Sequence, residues 1–349
     1  MNKVFKNELV YFRATVCILI IFTHILTLYI NSLDVDINEL KTLYYIQNAF
    51  IFGTPSFIIL SQLLTTFNYK SIDKRYLWSR FKYIFLPYIL VGSFYCFSES
   101  ANTNTAFTKQ FIENILLGKW YGYFILIILQ FYILSYIIYK INYKLFNSKV
   151  LLILSLIVQV VFLYNLHNNN AFHELFKQFY PLSENTFILG WIFYFFIGGY
   201  IGMNYNKFIT LANKYISILM VFAIISFLGF VFFKNHDYWT TMSYDEYLVF
   251  YNTFMFCILL IICTHIQSIM KQTVNVISIY SFFVYLLHPI ILDSIYNFTS
   301  RFQDKTIIFL ATSLLFTLGI CIGTGILLTE FNIFRFVIGK QPYKIKKID

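Results

Sequence analysis

An arginine and a histidine, Arg13 and His24, stand eleven residues apart inside the first long apolar stretch of the chain. On an α-helix, eleven steps of about 100° bring the second side chain to within about 20° of the first. The two therefore share a face, separated by about 16 Å along the axis. Ionisable groups at membrane depth are functional candidates by default, and this pair has complementary chemistry. A neutral imidazole can take a proton from a hydroxyl, and a guanidinium can fix an anionic group by charge-assisted hydrogen bonds. The plainer alternative is that Arg13 snorkels to the interface as an anchor while His24 hydrogen-bonds a neighbouring helix.

A second histidine lies in the segment Tyr285-Leu286-Leu287-His288-Pro289. Pro289 has no amide hydrogen for the carbonyl of Tyr285, which frees an acceptor beside His288. His288 and Tyr285 are thus candidates to polarise a reacting carbonyl, and a kink with a structural histidine is the other reading. Asp293 lies about 140° around the helix from His288, so the two are not a dyad within that helix. In the second apolar stretch Thr54, Ser61 and Thr65 fall on one face. Pro55 beside them predicts a kink that can open a hollow at membrane depth, although small hydroxyl residues also serve close helix packing.

The connector from Lys74 to Lys82 carries Arg75 and Arg80, which suit a phosphate-rich ligand and serve equally as topology determinants. On the far side Glu99, Trp120, Tyr121, Glu184 and Asn185 offer acceptors and flat aromatic faces of the kind that bind sugars. Ser183 there also reads as a helix N-cap. His167, His173, His236 and His265 read as surface residues. The five cysteines fall in apolar spans without a CxxC pair or histidines at ligand spacing, so they read as packing residues and no metal is expected.

What must position these groups is a bundle of membrane helices. Hydrophobic residues make up 59% of the 349 positions and charged residues 12%, about half the charged share of a soluble domain. The apolar stretches fall near 11–31, 46–66, 83–98, 120–139, 149–166, 184–204, 215–233, 248–266, 276–296 and 306–328. Each is long enough to cross a hydrocarbon layer as a helix, and none shows the alternation of barrel strands. The fold class expected is an all-α, polytopic integral membrane protein of about ten transmembrane helices. The first stretch reads as a retained helix rather than a cleaved leader.

Of the 26 basic residues, 19 fall on the terminal segments and every second connector, and seven on the others, which hold most of the acids. Positive charge collects in the cytoplasm, so both termini are expected there. The net charge of +10 is then a topology signal that suits anionic membrane lipid, and nucleic acid is not an expected partner. One membrane domain over 1–349 is expected, with a basic cytoplasmic tail at 330–349. The outer connectors are short, so chemistry must take place in the bundle or at its faces.

With these residues in view, the chain resembles the membrane acyltransferase 3 family. That family opens on an arginine followed by ten residues and a histidine, matched by Arg13 and His24. The likeness continues through Phe57-Ile58-Ile59-Leu60-Ser61, the loop with Arg75, Arg80 and Pro87-Tyr88, then Trp120-Tyr121, Gly198 and Tyr285 to Pro289. Gln62 departs from it, standing where such families commonly have glycine. Segments such as Leu117 to Tyr123, Tyr180 to Thr186 and Ile338 to Tyr343 are similar to members encoded with the machinery for the biofilm exopolysaccharide poly-N-acetylglucosamine.

The resemblance implies an enzyme of the cell membrane that moves an acyl group, succinyl or acetyl, from cytoplasmic acyl-CoA onto that polymer. Acyl-CoA is then a donor substrate and not a bound cofactor, and the polysaccharide synthase complex is a further partner. Export of the polymer is the alternative. A conduit needs a wide polar path, whereas most spans here are apolar nearly all round, which favours the enzyme. On this reading the first, second and ninth spans enclose a cleft. Arg13, Arg75, Arg80 and Ser61 hold the donor, His24 is the general base, and His288 or Tyr285 polarises the thioester. The sugar meets Glu99, Trp120, Tyr121, Glu184 and Asn185.

Overall fold

The computed structural model describes residues 6–339, apart from the side chain of Arg335. Lys340, Lys344, Lys346 and Lys347 of the expected basic tail lie outside the described residues. Among the described residues there are helices and turns but no strand. A helix satisfies its backbone polar groups within one segment, which lipid demands.

In chain order the helices are α1 (Asn7–Ser32), α2 (Lys41–Phe50), α3 (Gly53–Asn68), α4 (Lys74–Arg80), α5 (Leu86–Thr103), α6 (Phe107–Phe111), α7 (Phe124–Asn142) and α8 (Lys149–Asn168). They continue as α9 (Asn170–Phe179), α10 (Ile192–Met203), α11 (Tyr205–Lys214), α12 (Ile216–Phe233), α13 (Val249–His265), α14 (Lys271–Thr299), α15 (Thr306–Thr329) and α16 (Arg335–Ile338). Among the described residues nine helical runs are long and apolar enough to cross a membrane, or ten if the bent pair α10 and α11 forms one span. The protein is a multi-pass membrane protein.

Two stretches differ from the sequence expectation. The basic connector is itself helical: α4 starts at Lys74, capped by the Asp73 carboxylate accepting from the Tyr76 amide at 3.0 Å. It runs through a π-helical turn, Phe81–Phe85, into α5. Its charges masked the helix because they interrupt the apolar run. The sixth expected span, 184–204, begins instead with two 3-10 turns, Glu184–Thr186 and Ile188–Trp191, and after α10 the chain bends by 100° into α11. The Gln159 side-chain oxygen accepts from the Phe193 amide at 2.9 Å, supplying a partner that the first turn of α10 lacks.

Hydrogen bonds between elements define two ends of the bundle. At one end the Tyr11 hydroxyl donates to the Ile269 carbonyl at 2.7 Å, Tyr205 to Glu8 at 3.0 Å and Tyr139 to the Tyr69 carbonyl at 2.8 Å. The connectors there carry Lys70, Lys74, Arg75, Lys140, Lys144, Lys207 and Lys271, so we call it the basic end. At the opposite end Tyr29 meets Thr306 at 2.6 Å, Lys41 donates to Asn235 at 3.0 Å and the Ser183 amide donates to the Leu117 carbonyl at 2.7 Å.

α1 is the central post, burying Phe12, Val16, Ile21 and Ile25 among α3, α13, α14 and α15. α12 is peripheral. It buries only Ala223 and Phe230 and turns Ile224, Leu228 and Phe232 outward, which lipid accepts as readily as a protein core does.

α3 and α10 approach closely enough that a Cβ at Gly198 would meet the Ile59 carbonyl, and one at Gly202 the Leu63 carbonyl and the Thr66 hydroxyl. That hydroxyl also lies 3.1 Å from the Gly199 carbonyl, linking the helices. Because backbone cannot give way as a flexible side chain can, Gly198→Ala is expected to destabilise the protein by about 1–3 kcal/mol. Thermal unfolding in detergent should show a lowered midpoint. Gly229→Ala on α12, with nothing within 4 Å, should not lower it.

Candidate functional site

The packing of α1 against α14 brings the His24 and His288 rings to a centroid separation of 4.9 Å, with their planes 56° apart. His288 is fully buried, and His24 retains partial exposure. Pro289 stands inside α14 and has no hydrogen to give the Tyr285 carbonyl. His288 Nδ1 replaces it, 2.8 Å from the Tyr285 carbonyl and 3.1 Å from the Val284 carbonyl. Both neighbours are acceptors, so Nδ1 carries the ring hydrogen and neutral His288 presents a bare Nε2. Nε2 is buried and has no hydrogen-bond partner among the described residues.

Aromatic groups frame this pair. The Tyr121 ring lies 5.9 Å from His288, and its hydroxyl donates to the Leu286 carbonyl at 2.8 Å. In return the Tyr285 hydroxyl donates to the Tyr121 carbonyl at 2.8 Å. The two tyrosines thus staple the turn Tyr121–Tyr123 to α14, and both hydroxyl hydrogens are engaged with backbone. Trp120 is 7% exposed and donates to the Tyr88 hydroxyl at 3.0 Å. Trp120 and Tyr121, expected as sugar platforms, pack on each other with ring centres 4.6 Å apart, and Tyr121 borders His288.

One hollow lies on each side of His288 along α14, and neither histidine is among their lining residues. The first, with a volume of about 170 Å³, is lined by Arg13, Ser61, Arg80, Tyr132, Ser281 and Tyr285 together with apolar side chains of α3 and α7. Ser61 is 3.1 Å from the Tyr132 hydroxyl, and Thr65 is 2.9 Å from that of Tyr76. The Arg80 guanidinium lies 4.7 Å from the Tyr76 ring centre and 5.1 Å from that of Tyr132. The hydroxyl face of α3 fixes the tyrosines, and the tyrosines hold the cation by their π faces. Gln62 points to α7, where its oxygen accepts from Ser135 at 2.7 Å. Arg75 is exposed and does not line this hollow.

The second hollow, of about 340 Å³, is lined by Tyr95, Glu99, Asn102, Asp293 and neighbouring residues of α5 and α14. Glu99 accepts from the Asn114 amide at 2.6 Å. Along α14 the first hollow touches Ser281 and Tyr285, the second touches Ile290 and Asp293, and His288 stands in the turn between. Along the run from α4 to α5, Arg80 and Glu99 are separated by about 28 Å of helix. The hollows therefore lie toward opposite ends, the first toward the basic one.

Other expected site residues lie elsewhere. Glu184 pairs with His173 at 2.6 Å, and the Asn185 carbonyl accepts from the Trp191 indole at 2.8 Å. Neither lines the hollow that Glu99 lines. Ser183 makes no side-chain cap. His167, read as a surface residue, meets the buried Glu246 at 2.6 Å, so it and His173 are both partnered by carboxylates. All five cysteines are buried. The contributions to the hollows missed in sequence are those of α7, Tyr95, and Asp293 as a neighbour of Glu99, since Asp293 was weighed only against His288. Asp293 did signal as an acid in an apolar span, but its facing group, Glu99, comes from another helix.

Residues 6–326 match the model of the family described as "Acyltransferase domain". Over 346 residues the chain is 55% identical to a protein of Staphylococcus aureus (strain Mu50) named "Probable poly-beta-1,6-N-acetyl-D-glucosamine export protein", covering 99% of each chain. A protein of the same name from Staphylococcus epidermidis is 56% identical over 342 residues, 98% of this chain and 96% of the relative. No solved structure matches the chain.

Proposed function

The chain belongs to the acyltransferase family of that description, and on this premise we propose that it is a cell-membrane O-acyltransferase that modifies poly-N-acetylglucosamine with an acyl group from acyl-CoA. The observation that carries the reading is the imidazole pair, 4.9 Å apart, with one hollow on each side of His288 along α14 and the hollows toward opposite ends of the bundle. With the basic end in the cytoplasm, the first hollow receives the donor and the second the sugar.

A volume of about 170 Å³ is below the roughly 300 Å³ of pockets that enclose a whole ligand. The hollow then takes the acyl group and the thiol end of the pantetheine arm, beside Ser61 and Tyr132. Arg13 and Arg80 meet negative oxygens, and the nucleotide stays toward exposed Arg75 at the rim.

His24 takes the proton of a sugar hydroxyl as its oxygen attacks the thioester carbon. The tetrahedral intermediate collapses, the carbon–sulfur bond breaks, and the thiolate receives the proton from His24. Tyr285, whose hydroxyl is engaged by the Tyr121 carbonyl, polarises the thioester only on releasing that bond. Neutral His288, with its hydrogen on Nδ1, has none to offer a carbonyl. Glu99, Asp293 and Tyr95 accept hydrogen bonds from, or stack on, the sugar. Glu99→Gln should raise KM for a β-1,6-linked oligosaccharide about tenfold with the donor KM unchanged, the scale of one hydrogen bond to a charged group.

The names of the relatives favour a second reading, export of the polymer. The two separate in a deletion strain by the amount and the ester content of polymer outside the cell. Acyl transfer predicts external polymer lacking its esters. Polymer retained inside, with unaltered esterification, would establish export instead. Co-purification with the polysaccharide synthase is expected on either reading.

A further inference from the structure

We propose that the Tyr285 carbonyl, His288 and His24 form an orienting relay for the proton, with Pro289 as the residue that sets it. This rests on the acyl-transfer reading above and adds a role to the second histidine. In an unbroken helix the amide at 289 would donate to the Tyr285 carbonyl. Proline removes that donor, and His288 Nδ1 takes its place at 2.8 Å. The ring is thereby fixed with hydrogen on Nδ1 and a lone pair on Nε2.

A bare nitrogen in a fully buried ring requires an explanation, and the nearest ionisable ring is His24. A neutral His24 has one hydrogen. When it points toward His288 Nε2, the other His24 nitrogen is bare and meets the sugar hydroxyl. On taking the hydroxyl proton at its bare nitrogen His24 becomes an imidazolium, and the N–H it already carried stays held by the His288 lone pair. No net proton passes to His288, and the proton taken by His24 leaves with the thiolate. The backbone carbonyl thus orients one imidazole and that imidazole orients the next, the part a buried carboxylate plays in a hydrolase triad. The burial order agrees: His24 is partly exposed and His288 is fully buried.

The test uses the full chain in lipid nanodiscs with 15N-labelled histidine, the His288 signals being identified by their loss in His288→Gln. The parent should show a protonated Nδ1 and a bare Nε2. In Pro289→Ala the restored amide competes for the Tyr285 carbonyl, so signal from the opposite tautomer should appear. The kcat should fall about ten- to a hundredfold, the scale seen when the group that orients a metal-bound histidine is lost, with both KM values unchanged. A parent protonated at Nε2, or a tautomer shift without loss of kcat, overturns the relay. Should Pro289→Ala fail to fold, His288→Ala decides: loss of kcat is expected, and a parental kcat overturns the relay. His24→Ala keeps the two ideas apart. Parental transfer in it removes the base assignment and the relay together, absence of transfer in the parent chain sinks the acyl-transfer reading itself, and activity lost in His24→Ala but kept in His288→Ala sinks only the relay.

Discussion

Replacing His24 by alanine should lower acyl transfer about a hundred- to ten-thousandfold, the range that a lost general base produces. The chain should still fold, because the grip of α1 on the bundle comes from Phe12, Val16, Ile21 and Ile25, all fully buried. His24 itself is partly exposed and contributes a ring edge near His288 rather than a core contact. The rate is measured in membrane vesicles with labelled acyl-CoA and a β-1,6-linked N-acetylglucosamine oligosaccharide, at equal amounts of folded protein. His24→Gln, which keeps hydrogen bonding but cannot take a proton at neutral pH, should be as slow as alanine. A glutamine variant at the parental rate would mean that the imidazole only positions, and the base assignment would be withdrawn.

Arg80→Ala should raise KM for the donor about ten- to a hundredfold while leaving the acceptor KM near the parental value. Hydrogen bonds to a charged group contribute about 1.5–3 kcal/mol, and Arg80 lies in the first hollow, distant from the second along the run from α4 to α5. Arg80→Lys should recover only part of the loss. The guanidinium sits over two rings, Tyr76 at 4.7 Å and Tyr132 at 5.1 Å, and an ammonium lacks the plane to stack on both and the fork to hold an anion. Arg75→Ala is the internal contrast, because Arg75 is exposed outside the hollow. Its effect on the donor KM should be the smaller. Donor saturation unaltered in Arg80→Ala would remove the first hollow as the donor site.

The helical membrane fold and the end at which positive charge collects were legible because apolar run length and connector charge are properties of single segments. The hydroxyl face of α3 was legible for the same reason, since Ser61 and Thr65 are related by helical repeat alone. Their partners were not: Tyr132 and Tyr76 reach them from α7 and α4, and nothing in the spacing of either sequence states that these helices adjoin. The aromatics show the limit most clearly. Trp120 and Tyr121 have the composition of a sugar platform, yet the structure packs Trp120 on Tyr88 and Tyr121 beside His288. A ring that stacks on sugar and one that stacks on protein have the same sequence signature. Gln62, a departure from the family pattern, has its side-chain oxygen met by Ser135, on a helix that drew no attention, while its amide nitrogen is buried without a partner among the described residues.

By itself the sequence determined that Arg13 and His24 share one helix face and that Pro289 frees the Tyr285 carbonyl. Each depends only on residues within a few turns of one helix, where geometry is fixed by the backbone hydrogen-bond ladder. The tertiary structure decided that the freed carbonyl turns His288 to a defined tautomer, that His288 meets His24, and that Glu99 and Asp293 share a hollow. Those outcomes follow from how helices remote in the chain are rotated and tilted against one another. Close packing at contacts such as Gly198 against Ile59 sets that arrangement, and hydropathy carries no record of it because lipid rewards every apolar face alike.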